Sequence, residues 1–202
     1  MMQKRLSILA SGNGTNAQQI AEYFEGRSDV IVDSIIYNKK DAYVATRAKN
    51  LGIESFYMTR HDFMSSDKVL DLMVSRGIDY IMLARFLLLV PENLLKAFPD
   101  KIINIHPALL PKYGGKGMYG HHVHEAVVAN KETVTGITIH VVDHRYDCGT
   151  TLFQAKCIVK PDDSPDDVAA RLHLLEKAYF PPVIDAYING TAMPVQEEIL
   201  CE

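Results

Sequence analysis

The chain lacks any apolar run approaching the roughly twenty residues that cross a bilayer, which excludes a helical membrane span. Its start, Met1-Met2-Gln3-Lys4-Arg5-Leu6, moves directly into a strand-like segment with no signal-type apolar core, so the expected location is cytoplasmic. Cysteine is scarce: Cys148, Cys157 and Cys201 are spaced neither as a disulfide framework nor as a metal-ligand set, and reduced thiols are expected. An excess of positive charge is missing too. A net charge of -4 and a pI near 6.1 argue against a broad nucleic-acid footprint, so any phosphate must be held by backbone and a few chosen side chains. With no repeat, low-complexity stretch or linker-like composition shift, the 202 residues are expected to form one domain, residues 1–202.

What is present is rhythm. Apolar segments alternate with helical patterns: Leu6 to Ala10 then Ala17 to Phe24, Val30 to Tyr37 then Asp41 to Leu51 closed by Gly52, and Ile53 to Tyr57 then Ser66 to Arg76. Tyr80 to Ala84, Pro91 to Phe98 and Ile102 to Ile105 continue the series. This is the signature of βαβ units, hence an α/β fold with a mostly parallel central sheet and helices on both faces. The second half differs. Gly136 to Val142 and Thr151 to Val159 read as two neighbouring, antiparallel strands. A last helix opens at Ser164-Pro165-Asp166-Asp167, with Val168, Leu172, Leu175 and Tyr179 as its core stripe, and Pro181-Pro182 is expected to interrupt or kink it.

Chemistry concentrates in three places. In Asn104-Ile105-His106-Pro107-Ala108-Leu109-Leu110-Pro111, residues two apart at a strand end point the same way, so Asn104 and His106 offer an amide and an imidazole to one small volume. Ser11-Gly12-Asn13-Gly14-Thr15-Asn16 joins a strand to a helix. It lacks the third glycine of a dinucleotide fingerprint and the Gly-Lys-Ser/Thr ending of a P-loop, so a phosphate monoester fits it better, although a plain βα turn capped by Thr15 or Asn16 is the competing reading. In Val142 to Gly149, Asp147 reaches the Asn104 and His106 volume if the strands are neighbours. Otherwise Asp143 and Asp147 are only turn formers beside Gly149. His121, His122 and His124, with His140 and His144, carry no convincing thiol or acidic ligand spacing and read as surface histidines, with no metal. Gly114 to Gly120 reads as a mobile loop.

Together, Gly12 to Asn16, the Asn104-x-His106-Pro107-x-Leu109-Leu110-Pro111-Lys112-Tyr113 segment, and Thr135-Gly136-x-Thr138-x-His140 followed by Asp147-x-Gly149 resemble the phosphoribosylglycinamide formyltransferases. These are the glycinamide ribonucleotide transformylases of the folate-dependent formyltransferase superfamily. The resemblance implies a Rossmann-like formyltransferase fold whose phosphate-binding half is 1–100 and whose catalytic and folate-binding half is 101–202. It implies transfer of the formyl group of 10-formyltetrahydrofolate to the amine of glycinamide ribonucleotide, in de novo purine (IMP) synthesis, by direct attack and a tetrahedral intermediate. Asn104, His106 and Asp147 match the family's catalytic trio; Gly14, Thr15 and Asn16 match its phosphate loop, and Glu176 its ribose-binding glutamate. The folate would sit by Leu87, Leu88, Leu89, Val90, Asn104 and Asp143. No metal, nucleic acid or membrane is implied, and the assembly is a monomer or homodimer.

Two departures from the family pattern carry expectations. Ala84-Arg85-Phe86 stands where Ala-Gly-Phe is usual, and Leu88 where an arginine is frequent, so Arg85 predicts a shifted loop or a side chain turned to solvent. The Gly114 to Gly120 loop is longer than usual. Related deformylases, methionyl-tRNA formyltransferases and sugar-nucleotide formyltransferases use the same trio but carry extra domains for which this length leaves no room. A non-catalytic phosphate-binding module of flavodoxin type would explain the rhythm and the glycine loop, but not the trio.

Overall fold

The computed structural model describes residues 3–195. Cys201 lies outside them. Seven strands lie among the described residues. The chain divides into two compact units, one up to Asn104 and one from Ile105 onward.

The first unit contains β1 (Lys4–Ala10), β2 (Val30–Tyr37), β3 (Glu54–Tyr57) and β4 (Tyr80–Ala84), and most of β5 (Ile102–His106). Their pairings, β1 with β2 and β4, β2 with β3, and β4 with β5, are all parallel. Leu6 through Ala10 are buried without alternation, as a parallel strand covered on both faces requires. Between strands run α1 (Thr15–Phe24), α2 (Val44–Asn50), α3 (Arg60–Met64), α4 (Lys68–Ser75) and α5 (Glu92–Ala97). The helix α3 has no apolar period long enough to read; it is held by a capping box in which Thr59 and Asp62 bond each other's backbone. Pro91 caps α5 rather than opening it.

A register shift between Leu6 and Ser7 leaves Asp33 extra in β2. The bulged carboxylate, 4% exposed, pairs with Arg5 and, at 2.5 Å, with Arg76 just beyond α4.

The second unit carries the end of β5, α6 (His121–Ala129), β6 (Val134–Val141), β7 (Thr151–Ile158) and α7 (Pro165–Asn189). β6 and β7 are antiparallel, as their sequence pattern suggests. Thr135 through Val141 are all buried, so β6 alternates in residue type without alternating in exposure. The first turn of α7 follows its sequence signals: Ser164 caps it, Asp167 completes a capping box and Pro165 occupies the opening turn. Val168, Leu172, Leu175 and Tyr179 are buried as expected. Pro181 and Pro182 do not interrupt the helix, which continues to Asn189. Phe180, Pro181, Val183 and Ile184 are all buried, and that packing outweighs the backbone bonds the prolines remove.

Candidate functional site

His106 ends β5, and its 3% exposed ring is gripped on both sides. Nε2 lies 2.8 Å from the Tyr113 carbonyl. A carbonyl only accepts, so Nε2 donates and carries the proton. Nδ1 faces Asp147, with Oδ1 3.6 Å away. The other carboxylate oxygen, Oδ2, accepts from the Gly115 backbone N–H at 2.9 Å. The nitrogen Nε2 of His140 lies 3.8 Å from the same Oδ1. Asp147 therefore stands between two imidazoles, both just beyond hydrogen-bond length, with one oxygen anchored to the main chain.

His140 is a correction to the sequence reading, which placed it with surface histidines: it is 1% exposed. It lies on β6, two residues from Thr138, in a strand buried from Thr135 through Val141. Burial pushes its imidazole below the usual histidine range, against the opposing pull of its hydrogen bond to the Val141 carbonyl and the charge of Asp147. His124 is buried likewise, on α6, while His121 and His122 are exposed. Among the described residues no cluster of three His, Cys, Asp or Glu is placed to hold a metal ion.

The turn after His106 is pinned by Thr138, which is fully buried. Its hydroxyl donates to the Ala108 carbonyl at 2.7 Å and accepts from the Leu110 N–H at 3.0 Å and from Gln154 at 2.9 Å. All three hydrogen-bonding positions of the hydroxyl are used. Across the loop, a Cβ on Gly149 would lie 1.7 Å from the Val141 carbonyl, so only glycine lets the chain return to β7 there. Asp147 itself has φ +52, a left-handed conformation that turns its side chain toward the imidazoles. Asp143 does act as a turn former, accepting from the Arg145 N–H at 2.7 Å. Burial works to raise its carboxyl, but the Arg145 bonds and charge outweigh it and hold it below the usual carboxylate range.

In the first unit, Gly14 caps α1 in left-handed conformation, φ +81, and no side chain caps the helix. Thr15 and Asn16 are its first helical residues, so the capped-turn reading does not hold. A Cβ on Gly14 would meet Val44 at 2.4 Å, which fits the loop tightly against α2. Asn16 is 2% exposed, and neither its amide oxygen nor its nitrogen has a partner. Arg47, missed in the sequence, donates to the Asn13 carbonyl at 2.9 Å and to its side chain at 2.8 Å. The Ser11 hydroxyl accepts from the Leu87 N–H at 2.9 Å, tying this loop to the Leu87 to Val90 segment. Leu87 and Leu89 are exposed, Leu88 half-buried and Val90 buried. Arg85 is exposed with φ +57, a backbone that glycine adopts without strain. Asn104 is half-buried two residues before His106 on β5, and Glu176 is 2% exposed within α7.

Residues 4–184 match the family model described as formyl transferase. Over 186 residues the chain is 39% identical to a protein from Arabidopsis thaliana named phosphoribosylglycinamide formyltransferase, chloroplastic, covering 87% of this chain and 63% of that protein. It is 32% identical to the phosphoribosylglycinamide formyltransferase of Haemophilus influenzae, covering 95% and 96%. The chain thus spans about three-fifths of the plant relatives it matches and nearly all of the bacterial one. A crystal structure of glycinamide ribonucleotide transformylase 1 from Symbiobacterium toebii superposes with a TM-score of 0.85 at 30% identity, covering 97% of this chain and 92% of that one. The phosphoribosylglycinamide formyltransferase of Streptococcus pneumoniae gives 0.81 at 34% identity, covering 93% and 99%.

Proposed function

The chain belongs to the formyl transferase family, and we propose that it carries formyl from 10-formyltetrahydrofolate to the amine of glycinamide ribonucleotide. The observation that supports this most directly is the Asp147 carboxylate 3.6 Å from Nδ1 of a buried histidine, two residues beyond Asn104 on one strand. In this reading the amine attacks the formyl carbon and the carbonyl oxygen gains negative charge. Asn104 donates to that oxyanion together with a protonated His106. Collapse breaks the bond from carbon to folate N10, and the proton lost by the amine is the one N10 gains, passed by way of Asp147. Electrons and protons balance without a metal or a covalent enzyme intermediate.

The nucleotide phosphate is assigned to the N–H groups of Gly14, Thr15 and Asn16, where the uncapped start of α1 and its dipole favour an anion. Asn16, buried with both polar atoms unsatisfied, is the residue whose cost the bound phosphate would offset. Glu176 is assigned to the ribose, and Leu87 to Val90, with Asn104 and Asp143, to the folate. The proposal keeps residues 1–202 as one functional domain, with the phosphate loop in its first half and His106 and Asp147 in its second. It includes a cytoplasmic location; two plant relatives are named chloroplastic.

Formyl transfer followed spectroscopically, with and without the ribonucleotide, tests the proposal. Folate turnover that requires the ribonucleotide is expected. Turnover without it would point to a deformylase, and none in either case would remove this acceptor. Asn16→Ala is expected to weaken nucleotide binding roughly tenfold while leaving folate affinity within twofold. Equal losses by calorimetry would contradict the phosphate assignment.

A further inference from the structure

Tyr113 meets the site with its backbone instead of its side chain. Its φ is +55, a conformation that costs a bulky residue about 1 kcal/mol or more and persists only where the surroundings hold it. What that conformation achieves is visible: the Tyr113 carbonyl takes the Nε2 proton of His106 at 2.8 Å. What holds it is visible too. The phenol donates to Glu132 Oε1 at 2.9 Å, in the turn that follows α6, and Lys112 reaches both oxygens of the same carboxylate, at 3.0 and 3.1 Å. Burial, and then the bond to Glu132, raise the Tyr113 phenol above its ordinary range, so it remains a donor at all working pH values. The Glu132 carboxyl is held low, first by Lys112 and then by Tyr113, and remains the acceptor.

We propose that Tyr113, anchored by Glu132, is a positioning residue for His106: its main-chain carbonyl commits Nε2 to the protein and leaves Nδ1, on the Asp147 side, as the nitrogen that exchanges protons. This rests on the catalytic reading of His106. A half-turn of the imidazole about Cβ–Cγ would put carbons where Nδ1 and Nε2 now stand, and only the observed arrangement aims one nitrogen at Asp147 while the other is satisfied by a carbonyl in a site this buried. The strained carbonyl removes that choice, and the phenol, bonded to Glu132 at the far end of the side chain, keeps the carbonyl from relaxing. Lys112 pairs with the far side of the anchor, Glu132, and is expected to be dispensable.

Four variants separate these roles. Tyr113→Phe and Glu132→Ala both delete the phenol's bond and are expected to lower kcat roughly tenfold, since small misplacements of a reacting group are costly, with KM for ribonucleotide and folate within twofold. Glu132→Gln keeps an acceptor for the phenol and is expected to restore kcat to within twofold of wild type. Lys112→Met removes the ion pair alone and is expected to be neutral. A nitrogen-labelled imidazole gives a direct signature: in the wild type the His106 proton resonance sits on Nε2, and in Tyr113→Phe that preference weakens. Wild-type kcat in both Tyr113→Phe and Glu132→Ala would overturn the proposal. So would equal damage from Lys112→Met, because the ion pair and not the phenol would then be the anchor. His106→Ala is the separate control. If it turns over normally, the catalytic reading itself falls and takes the proposal with it; if it is inactive while the Tyr113 variants are unaffected, only the positioning role is lost.

Discussion

Two aspartates, each little exposed, are treated in opposite ways. Asp33 in the first unit, 4% exposed, is clasped by the guanidinium groups of Arg5 and Arg76, and Arg76 is further tied to Glu54 at 2.8 Å and stacked on Phe56 at 5.2 Å. Hydrogen bonding to Asp33, above all, raises the Arg76 guanidinium above its already high range, so that partner keeps its charge. Asp147 in the second unit, 13% exposed, has one firm bond, from a backbone N–H, and two imidazoles at 3.6 and 3.8 Å. Its side-chain partners are imidazoles rather than permanent cations. A carboxylate matched to permanent cations is committed to the fold, whereas one facing imidazoles at slightly long range retains an oxygen able to accept a proton.

The comparison is broken most severely by Asp147→Asn, expected to lower turnover by roughly two to four orders of magnitude, as loss of a charged orienting partner does, while stability changes little. Near-normal turnover would remove Asp147 from the chemistry. Asp33→Ala should do the reverse. It leaves two partly exposed cations without their partner and is expected to cost about 2 kcal/mol in denaturant unfolding, with kcat intact. A matching fall in kcat would show that the two carboxylates are not separable in this way.

The third test concerns pH. Because burial lowers the His140 pKa in the folded state, the unfolded chain binds this proton first as pH falls. The folded state therefore loses stability from about pH 6.5 downward, and the contribution is fully present above that value. In His140→Gln the stability curve should be flatter on the acid side. Parallel curves for variant and wild type would show that the site's second imidazole is not held neutral by the fold. Arg85→Gly has the smallest expected effect. Relief of the left-handed strain exceeds glycine's added chain entropy by about 0.5 kcal/mol, read as a small rise in midpoint. A drop would mean that the arginine side chain earns its place on that loop.

The helix caps and the parallel strands could be read locally. Ser164-Pro165-Asp166-Asp167 announces the start of α7 because capping involves residues three apart; β4 announces itself by an unbroken apolar run, and β1 and β2 by apolar runs broken at Ser7 and at Asp33-Ser34. The helix α6 was not legible. His121 and His122 face solvent while Val123, His124 and Val127 are buried, a stripe whose histidine reads as polar in any sequence pattern. Burial of His124 and His140 was equally hidden, since a histidine is found inside only when its neighbours fill the space around it. Pro181 and Pro182 do not end the helix for a related reason: their local cost is real, yet the packing of the flanking residues exceeds it.

The sequence by itself determined the α/β class, the succession of strands along the chain, the glycine loop at Gly14 and the pairing of Asn104 with His106 along one strand, because each depends on residues close in the chain. Tertiary structure alone decided that Asp147 stands between His106 and His140, that the Tyr113 carbonyl takes the proton of Nε2, and that Asp33 is spent on two arginines. Those contacts join residues 7 to 43 positions apart. No local propensity encodes such separations; they exist only after the strands have paired and the bulges and turns have set the direction of each side chain.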